Sequence, residues 1–239
     1  MRILSWDIGI INLSYCILEK IDNTITIKEW NVINLEEQCP IMTCSAKCKN
    51  GNNCTRKAIF LSKDKKIGFC RMHYKSTDIE CKEIKKTKKK KEDLITIGSR
   101  LINELENRFN NNMVFDNVLL ENQPSLKNPT MKSIQIIIYS YFLIKGYTIE
   151  PKDVKHIQMI SATQKNKYCN EYSKNNNIVK PTTKSSYNNA KKLAILVTQD
   201  LLETNDFLNE YLEFFKEHKK KDDLADSYLQ GLQYLTKLK

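Results

Sequence analysis

Glycine and histidine are scarce in this 239-residue chain, and no apolar run is long enough to cross a bilayer. Six glycines, none of them clustered, exclude the Gly-rich loops with which actin-like ATPases cradle phosphate. The longest apolar stretch, Ile134 to Ile144, is broken by Gln135, Tyr139 and Ser140. It falls short of the roughly 20 residues that a membrane helix needs. No charged, apolar and small-residue leader precedes a first strand that begins almost at Met1, so an intracellular protein is expected.

What is present is a hydrophobic content of 41%, enough for a real core in one domain of ordinary size with a small insertion. The net charge is +11, from 39 Lys and Arg against 28 Asp and Glu, and most of the positive side is Lys. Such an excess favours a polyanionic partner through counterion release. A Lys-, Asn- and Ile-rich composition alone would produce it too. Six of the eight cysteines fall between Cys39 and Cys81. In an intracellular chain that clustering points to a metal rather than to disulfides, and it leaves Cys16 and Cys169 as packing residues.

Periodicity divides the chain into elements. Arg2 to Ile8, Leu13 to Leu18 and the alternating stretch Thr24 to Ile33 read as three consecutive strands. From 36 to 81 the pattern disappears into a polar, Cys-rich insertion, followed by a run of nearly pure charge from Lys82 to Lys91. Regular structure returns with a helix from Glu92 to Phe109, a buried strand from Val114 to Leu120 and a helix from Met131 to Lys145. A short strand is expected over Tyr147 to Glu150, and a loop or short helices over Pro151 to Thr182. Helices at Tyr187 to Glu203 and Asp222 to Leu238 close the chain. The expected fold is α/β, a mixed sheet flanked by helices, with residues 1–35 and 92–239 in one domain and 36–81 as the insertion.

Acidic residues stand at three separated places: Asp7 in ILSWDIG, Glu121 in NVLLENQPS, and Asp223 and Asp226 in KKDDLADSYLQ. A carboxylate at the end of a buried strand is costly unless a cation meets it. Asp223 and Asp226, at i and i+3, share a face of a helix's first turn, where its dipole favours negative charge. Asp222 is the expected N-cap. Phosphodiester hydrolysis by two metals needs carboxylates around ions roughly 3.5–4 Å apart. An oxygen-rich, His-poor set of this kind suits Mg²⁺ or Mn²⁺. In a basic chain these residues point to metal-dependent cutting of nucleic acid. Asp7 as a turn residue and Asp223 as a cap are the bland alternatives.

With their surroundings, these places resemble the RuvC-type Holliday junction resolvases of the RNase H-like superfamily, closest to the branch of poxviruses and related large DNA viruses, with fungal mitochondrial resolvases as relatives. The motifs are SWDIGIINLSY, LLENQPSLKNPTMKSIQ and KKDDLADSYLQGL. The resemblance implies an RNase H-like fold, a homodimer, and paired symmetric nicks across a four-way DNA junction in recombination or replication. It implies catalytic, Mg²⁺-holding roles for Asp7, Glu121, Asp223 and Asp226. The family also has a basic residue ahead of the terminal acidic helix. TKSSYNNAKKLA resembles that region, so Lys184, Lys191 and Lys192 are the candidates for contacting DNA, and Lys184 or Lys191 for assisting catalysis. Lys191 and Lys192 equally suit the solvated face of a helix. Other RNase H-like nucleases acting on flaps or hybrids, and a non-catalytic zinc-containing nucleic-acid adaptor, are the alternative functions.

The apolar surplus of Met131 to Lys145 fits either burial within the monomer or a subunit interface. In the insertion, CRMH supplies one clear ligand pair, Cys70 and His73, and the second pair is Cys48 with Cys54 or Cys44 with Cys48. The string CKNGNNCTRKA followed by GFCRMH resembles small Cys₃His modules inserted in other large-virus proteins, which implies a structural Zn²⁺ on Cys48, Cys54, Cys70 and His73. His156 and His218 read as surface residues.

Overall fold

The computed structural model describes residues 1–35, 42–64, 66–84, 92–110, 113–126, 128–183 and 185–238. The chain divides into two compact units, Met1–Glu36 with Asp93–Lys239, and Glu37–Glu92.

The larger unit is built on a five-stranded sheet. Its strands are β1 (Arg2–Asp7), β2 (Asn12–Ile21), β3 (Thr24–Asn34), β7 (Phe115–Glu121) and β8 (Val154–Ile160), in the order β3-β2-β1-β7-β8. The first three are antiparallel, and β7 runs parallel to both β1 and β8. Side chains alternate across a strand, so β1 feeds two cores. Leu4 and Trp6 join the core made with α2 (Leu94–Phe109) and α3 (Pro129–Phe142), whereas Ile3 joins the core on the other face. That second face is covered by α4 (Ala162–Asn175), α5 (Ser186–Thr204), α6 (Leu212–Glu217) and α7 (Lys221–Lys237).

Local chemistry sets the helix starts. Asp93 caps α2 by accepting from the Thr96 N–H, and Asn128 caps α3 just before Pro129. In α7, Leu224, Tyr228, Leu229, Leu232 and Leu235 are buried, each worth roughly 1.5–3 kcal/mol of transfer free energy. A Cβ on Gly231 would come within 2.8 Å of the Leu18 side chain and 3.1 Å of Ser5 Cβ, so a larger residue there would have to push side chains of the sheet aside.

Three expectations are corrected. No strand forms over Tyr147 to Glu150: the chain leaves α3 through a π-helical turn, Leu143–Tyr147, and the strand comes later, at Val154–Ile160. The stretch read as loop or short helices holds that strand and α4, whose buried face of Lys165, Cys169 and Ser173 carries almost no hydrophobic signal. Asp222 does not cap α7. Lys220 occupies that position, and Asp222 lies in the first turn, where its carboxylate is 2.7 Å from the Lys191 ammonium.

The smaller unit has β4 (Phe60–Ser62), β5 (Gly68–Phe69) and β6 (Cys81–Glu83) in the order β5-β4-β6, with the short helix α1 (Arg71–Tyr74). Ahead of them, bridges pair Thr43 with Lys57 and Lys47 with Asn53 in antiparallel register, which makes a hairpin-like arm. The buried hydrophobic cluster of this unit is Cys44, Cys54, Phe69 and Cys70. A cluster that is three-quarters cysteine buries too little apolar surface to order a chain by itself.

Candidate active site and Cys/His cluster

Asp7 and Glu121 end the adjacent parallel strands β1 and β7, one residue past the registered pair Trp6–Leu120. By the alternation of strands, Asp7 falls on the face of Ile3, and Glu121 on the face of Leu119, both belonging to the core under α7. The chain turns sharply after Asp7, where a Cβ on Gly9 would sit 2.0 Å from the Asn12 carbonyl oxygen. A glycine is required there.

Helix α7 brings the other two carboxylates. Polar contacts in the core fix it against the sheet: the Trp30 indole donates to the Leu224 carbonyl at 3.0 Å, and Ser14 and Ser227 hydroxyls meet at 2.8 Å. One turn further, the Gln230 amide donates to Ser5 Oγ and to the Trp6 carbonyl, both at 3.2 Å. Asp7, Glu121, Asp223 and Asp226 then line one cavity of about 380 Å³ together with Lys165, Lys191, Tyr187 and Asn12.

Lys165 is the residue that sequence reasoning missed. Its ammonium lies 2.8 Å from Asp226 and 3.8 Å from Glu121, with 7% of the side chain exposed. The signal available was small: Ser161 as an N-cap, then Lys165, Cys169 and Ser173 every fourth residue. Of the lysines named from the sequence, Lys191 lines the cavity and is held by Asp222, while Lys192 is exposed outside it. Lys184 lies outside the described residues.

The electrostatics follow from this crowding. Burial, then Asp226 and Glu121, push the Asp7 carboxyl well above the usual range, with Lys165 pulling the other way. Burial and Asp222 raise Asp223. Burial would lower Lys165, but Asp226, Glu121 and Asp7 outweigh it and hold the ammonium charged. Four carboxylates facing one buried ammonium leave the site short of positive charge.

The loop after Glu121 is pinned as well. The Gln123 N–H donates to the buried Gln135 Oε1 at 3.0 Å, and Lys132 donates to Asn122 Oδ1 and Gln135 Oε1, both at 3.1 Å.

In the smaller unit, Cys44, Cys54, Cys70 and His73 place their ligand atoms within 4.8 Å of one another. Cys48 is not among them, so the expected set of Cys48, Cys54, Cys70 and His73 is corrected at one position. The reason is the arm's geometry. Cys48 sits at the base of the tight turn, its N–H donating to Asn52 and its carbonyl accepting from Gly51. The other end of the arm meets β5 through the Ser45 N–H and the Gly68 carbonyl, and this sets Cys44 beside Cys70 and His73. The Cys44 and Cys70 sulfurs lie 3.4 and 3.5 Å from His73 Nδ1. Burial would raise the Cys70 thiol, but N–H groups of His73 and Met72 and the neighbouring thiols bring it down to about 6. Three sulfurs and one nitrogen within this spacing could hold a metal ion, and the donor set is of the kind zinc takes.

No helix among the described residues is long and apolar enough to cross a membrane. Among solved structures, the chain is similar to the fowlpox virus resolvase crystallised with substrate Holliday junction DNA: 19% identity, TM-score 0.51, covering all of this chain and 99% of that one. It is also similar to the yeast mitochondrial Holliday junction resolvase Ydc2, with 18% identity and a TM-score of 0.52 over 98% of this chain and 78% of that one. These two likenesses show that the chain shares its α/β fold with those two proteins. Among curated proteins, the uncharacterized protein L451 of Acanthamoeba polyphaga mimivirus is 29% identical, covering 98% of this chain and 74% of that one. The family described as mitochondrial resolvase Ydc2 / RNA splicing MRS1 matches residues 3–239. With that span taking in both strand-end carboxylates and the terminal acidic helix, the chain belongs to the Ydc2/MRS1 resolvase family.

Proposed function

We propose that this chain is a metal-dependent, structure-specific endodeoxyribonuclease that resolves four-way DNA junctions by paired symmetric nicks. The observation that carries the reading is the meeting of Asp7, Glu121, Asp223 and Asp226 with Lys165 on one cavity. Family membership supplies the reaction class, and the fowlpox virus resolvase, with its junction substrate, supports the choice of branched DNA. Residues 1–35 and 92–239 form the nuclease domain in this reading, and 36–81 the zinc-binding insertion. The viral relatives support a setting in viral DNA recombination or replication, in the host cytoplasm or a viral factory.

The cavity fits divalent cations of the hard kind. Its charged oxygen donors are carboxylates, no Cys or His lines it among the described residues, and its negative charge exceeds what Lys165 offsets. Asp7, Glu121, Asp223 and Asp226 would hold two Mg²⁺ or Mn²⁺ ions, which supply water activation and charge neutralisation on the phosphate. Lys165 keeps its proton beside Asp226 and gives the site a fixed positive charge where a phosphate oxygen gains negative charge. Lys191, fixed by Asp222 and lying 5.2 Å from the Tyr187 ring centroid, offers a second cation at the cavity wall for the DNA backbone. With only five arginines in the chain, recognition is of branched shape and backbone rather than of base edges. A two-fold dimer matches the two-fold junction, and the exposed Ile136 and Ile144 on and after α3 support an interface there. The Cys44, Cys54, Cys70 and His73 cluster holds a structural Zn²⁺ in this reading.

A second reading, nucleic-acid binding without cutting, is favoured by the RNA-splicing half of the family description. One assay separates them. Purified protein with Mg²⁺ should cut a synthetic four-way junction in symmetric pairs and leave linear duplex intact, while Glu121→Gln binds the junction without cutting. Equal cutting of linear duplex, or full activity in Glu121→Gln, would overturn the resolvase reading.

A further inference from the structure

The net positive charge of this protein is almost wholly in one of its two units. Glu37–Glu92 contains 16 Lys and Arg against 6 Asp and Glu, a net of +10; six of the sixteen lie in the Lys85 to Lys91 run and four in the arm at 47, 49, 56 and 57. The rest of the chain holds 23 against 22, a net of +1. The unit that carries the acidic cavity is therefore nearly neutral, and the attraction for a polyanion has to come from the insertion.

The arrangement within the insertion narrows the surface. Alternation along the arm puts Cys44 and Cys54 on the buried side, facing the Cys/His cluster. Its opposite side, Thr43, Ser45, Lys47, Asn53, Thr55 and Lys57, is exposed at every position. That face bears hydroxyls, an amide and two ammonium groups, with no acid and no large apolar side chain. Lys49 in the turn is exposed as well, and so is Arg56 at the other end of the arm, where its carbonyl accepts from the Cys44 N–H. No Asp or Glu occurs from Gln38 to Lys63, and the acids of the unit's second half begin at Asp64. Among the described residues, no ion pair engages Lys47, Lys49, Arg56 or Lys57, whereas Lys63 is paired with Glu80. A surface this polar and this free of acid suits a phosphate backbone and offers nothing to a hydrophobic protein partner.

We infer that the Cys/His-held arm, through Lys47, Lys49, Arg56 and Lys57, is a backbone-contacting surface of the protein for duplex DNA. The Cys/His cluster presents the arm, and the arm adds sequence-independent affinity to a nuclease unit that is itself nearly neutral. The choice of DNA as the polyanion rests on the resolvase reading, but the location of the surface does not.

The test uses full-length, zinc-loaded protein with no added Mg²⁺ and no chelator, titrated with a labelled duplex and a four-way junction over a series of KCl concentrations. In one variant Lys47, Lys49, Arg56 and Lys57 are changed to Gln; in a control of equal net charge Lys28, Lys155, Lys174 and Lys216 are. Each neutralised phosphate contact contributes about 0.9 to the slope of log Kd against log salt, so the arm variant should lose about 2 to 4 from that slope. Its affinity should fall at least tenfold, while the control changes by less than threefold. Unchanged zinc content in the arm variant confirms that the cluster survives. Equal losses in arm variant and control would overturn the inference and leave the resolvase reading standing. Loss in the arm variant alone, with no junction cutting by wild type in Mg²⁺, would uphold the surface and sink the resolvase reading. Tighter binding of a single-stranded RNA of equal length than of the duplex would overturn the DNA assignment.

Discussion

The two units hold their polar clusters in opposite ways. In the larger one, two apolar cores on either face of the sheet fix strands and helix first, and Asp7, Glu121, Asp223 and Asp226 are delivered to one cavity by that packing. In the smaller one, the buried cluster is Cys44, Cys54, Cys70 and Phe69, so the would-be ligands are themselves the core. One site is positioned by the fold, and the other positions the fold. The contrast explains their chemistry. A pre-built cavity can tolerate four like charges because packing energy opposes their repulsion, whereas a cluster without a core needs soft, strongly held ligands to stay closed.

Removing metal should therefore act very differently on the two. Structural zinc contributes roughly 10–16 kcal/mol in small Cys/His modules. A strong chelator should expose 42–84 to rapid proteolysis while the helical circular dichroism of the larger unit is retained. Cys44→Ser and Cys70→Ser should lose the bound zinc, and Cys48→Ser should keep it. Zinc lost from Cys48→Ser but kept in Cys44→Ser, read by metal analysis, would reverse the ligand assignment.

The carboxylate site should lose activity rather than structure. Asp226→Asn should lower single-turnover junction cutting by a factor on the order of 10³ if Asp226 holds a metal as proposed, since it takes away that ligand and the partner of Lys165 together. Melting of the larger unit should change little. A fall in melting temperature matching the loss of cutting would show that this site, too, holds its fold together.

A smaller and more diagnostic effect is expected of Lys165→Gln. Four carboxylates would then face each other without their buried cation. Without added Mg²⁺ or chelator the variant should melt several degrees below wild type, and Mg²⁺ should raise its melting temperature more than that of wild type, because metal binding is linked to folding. Equal stabilisation of both proteins by Mg²⁺ would place the metals away from Lys165.

The smallest effect is at the lead-in to α7. Burial depresses His218, whose Nδ1 accepts from the Lys220 N–H at 3.0 Å. Between its folded pKa and the ordinary 6.5, the unfolded chain binds the proton that the folded chain refuses, so stability rises with pH there. The contribution is complete above 6.5 and is lost as pH falls through the folded value. Replacing His218 with Asn should flatten that part of the melting-temperature profile by a degree or so. A profile as steep as that of wild type would remove His218 from the account.

Much of this could be read before any coordinates. The strands over Arg2–Asp7 and Phe115–Glu121 announce themselves as apolar runs that end on a carboxylate, because burial and charge conflict there and only a site resolves the conflict. Helix α7 announces itself by the 3.6 spacing of its leucines. Lys165 stayed hidden because a helix whose buried face is Lys, Cys and Ser has no apolar period to detect. The choice between Cys44 and Cys48 stayed hidden because both lie within ligand reach in sequence, and only the register of the arm against β5 separates them.

The sequence by itself determined which residue types are available: four acids in apolar company, a Cys/His group in a polar stretch, and a positive charge heaped between residues 37 and 92. Composition and periodicity are local properties, so they survive without a fold. The tertiary structure alone decided which groups meet. A buried ammonium 2.8 Å from Asp226 and a four-membered sulfur–nitrogen cluster depend on contacts between residues far apart along the chain. Such contacts exist only once packing has closed the loops between them.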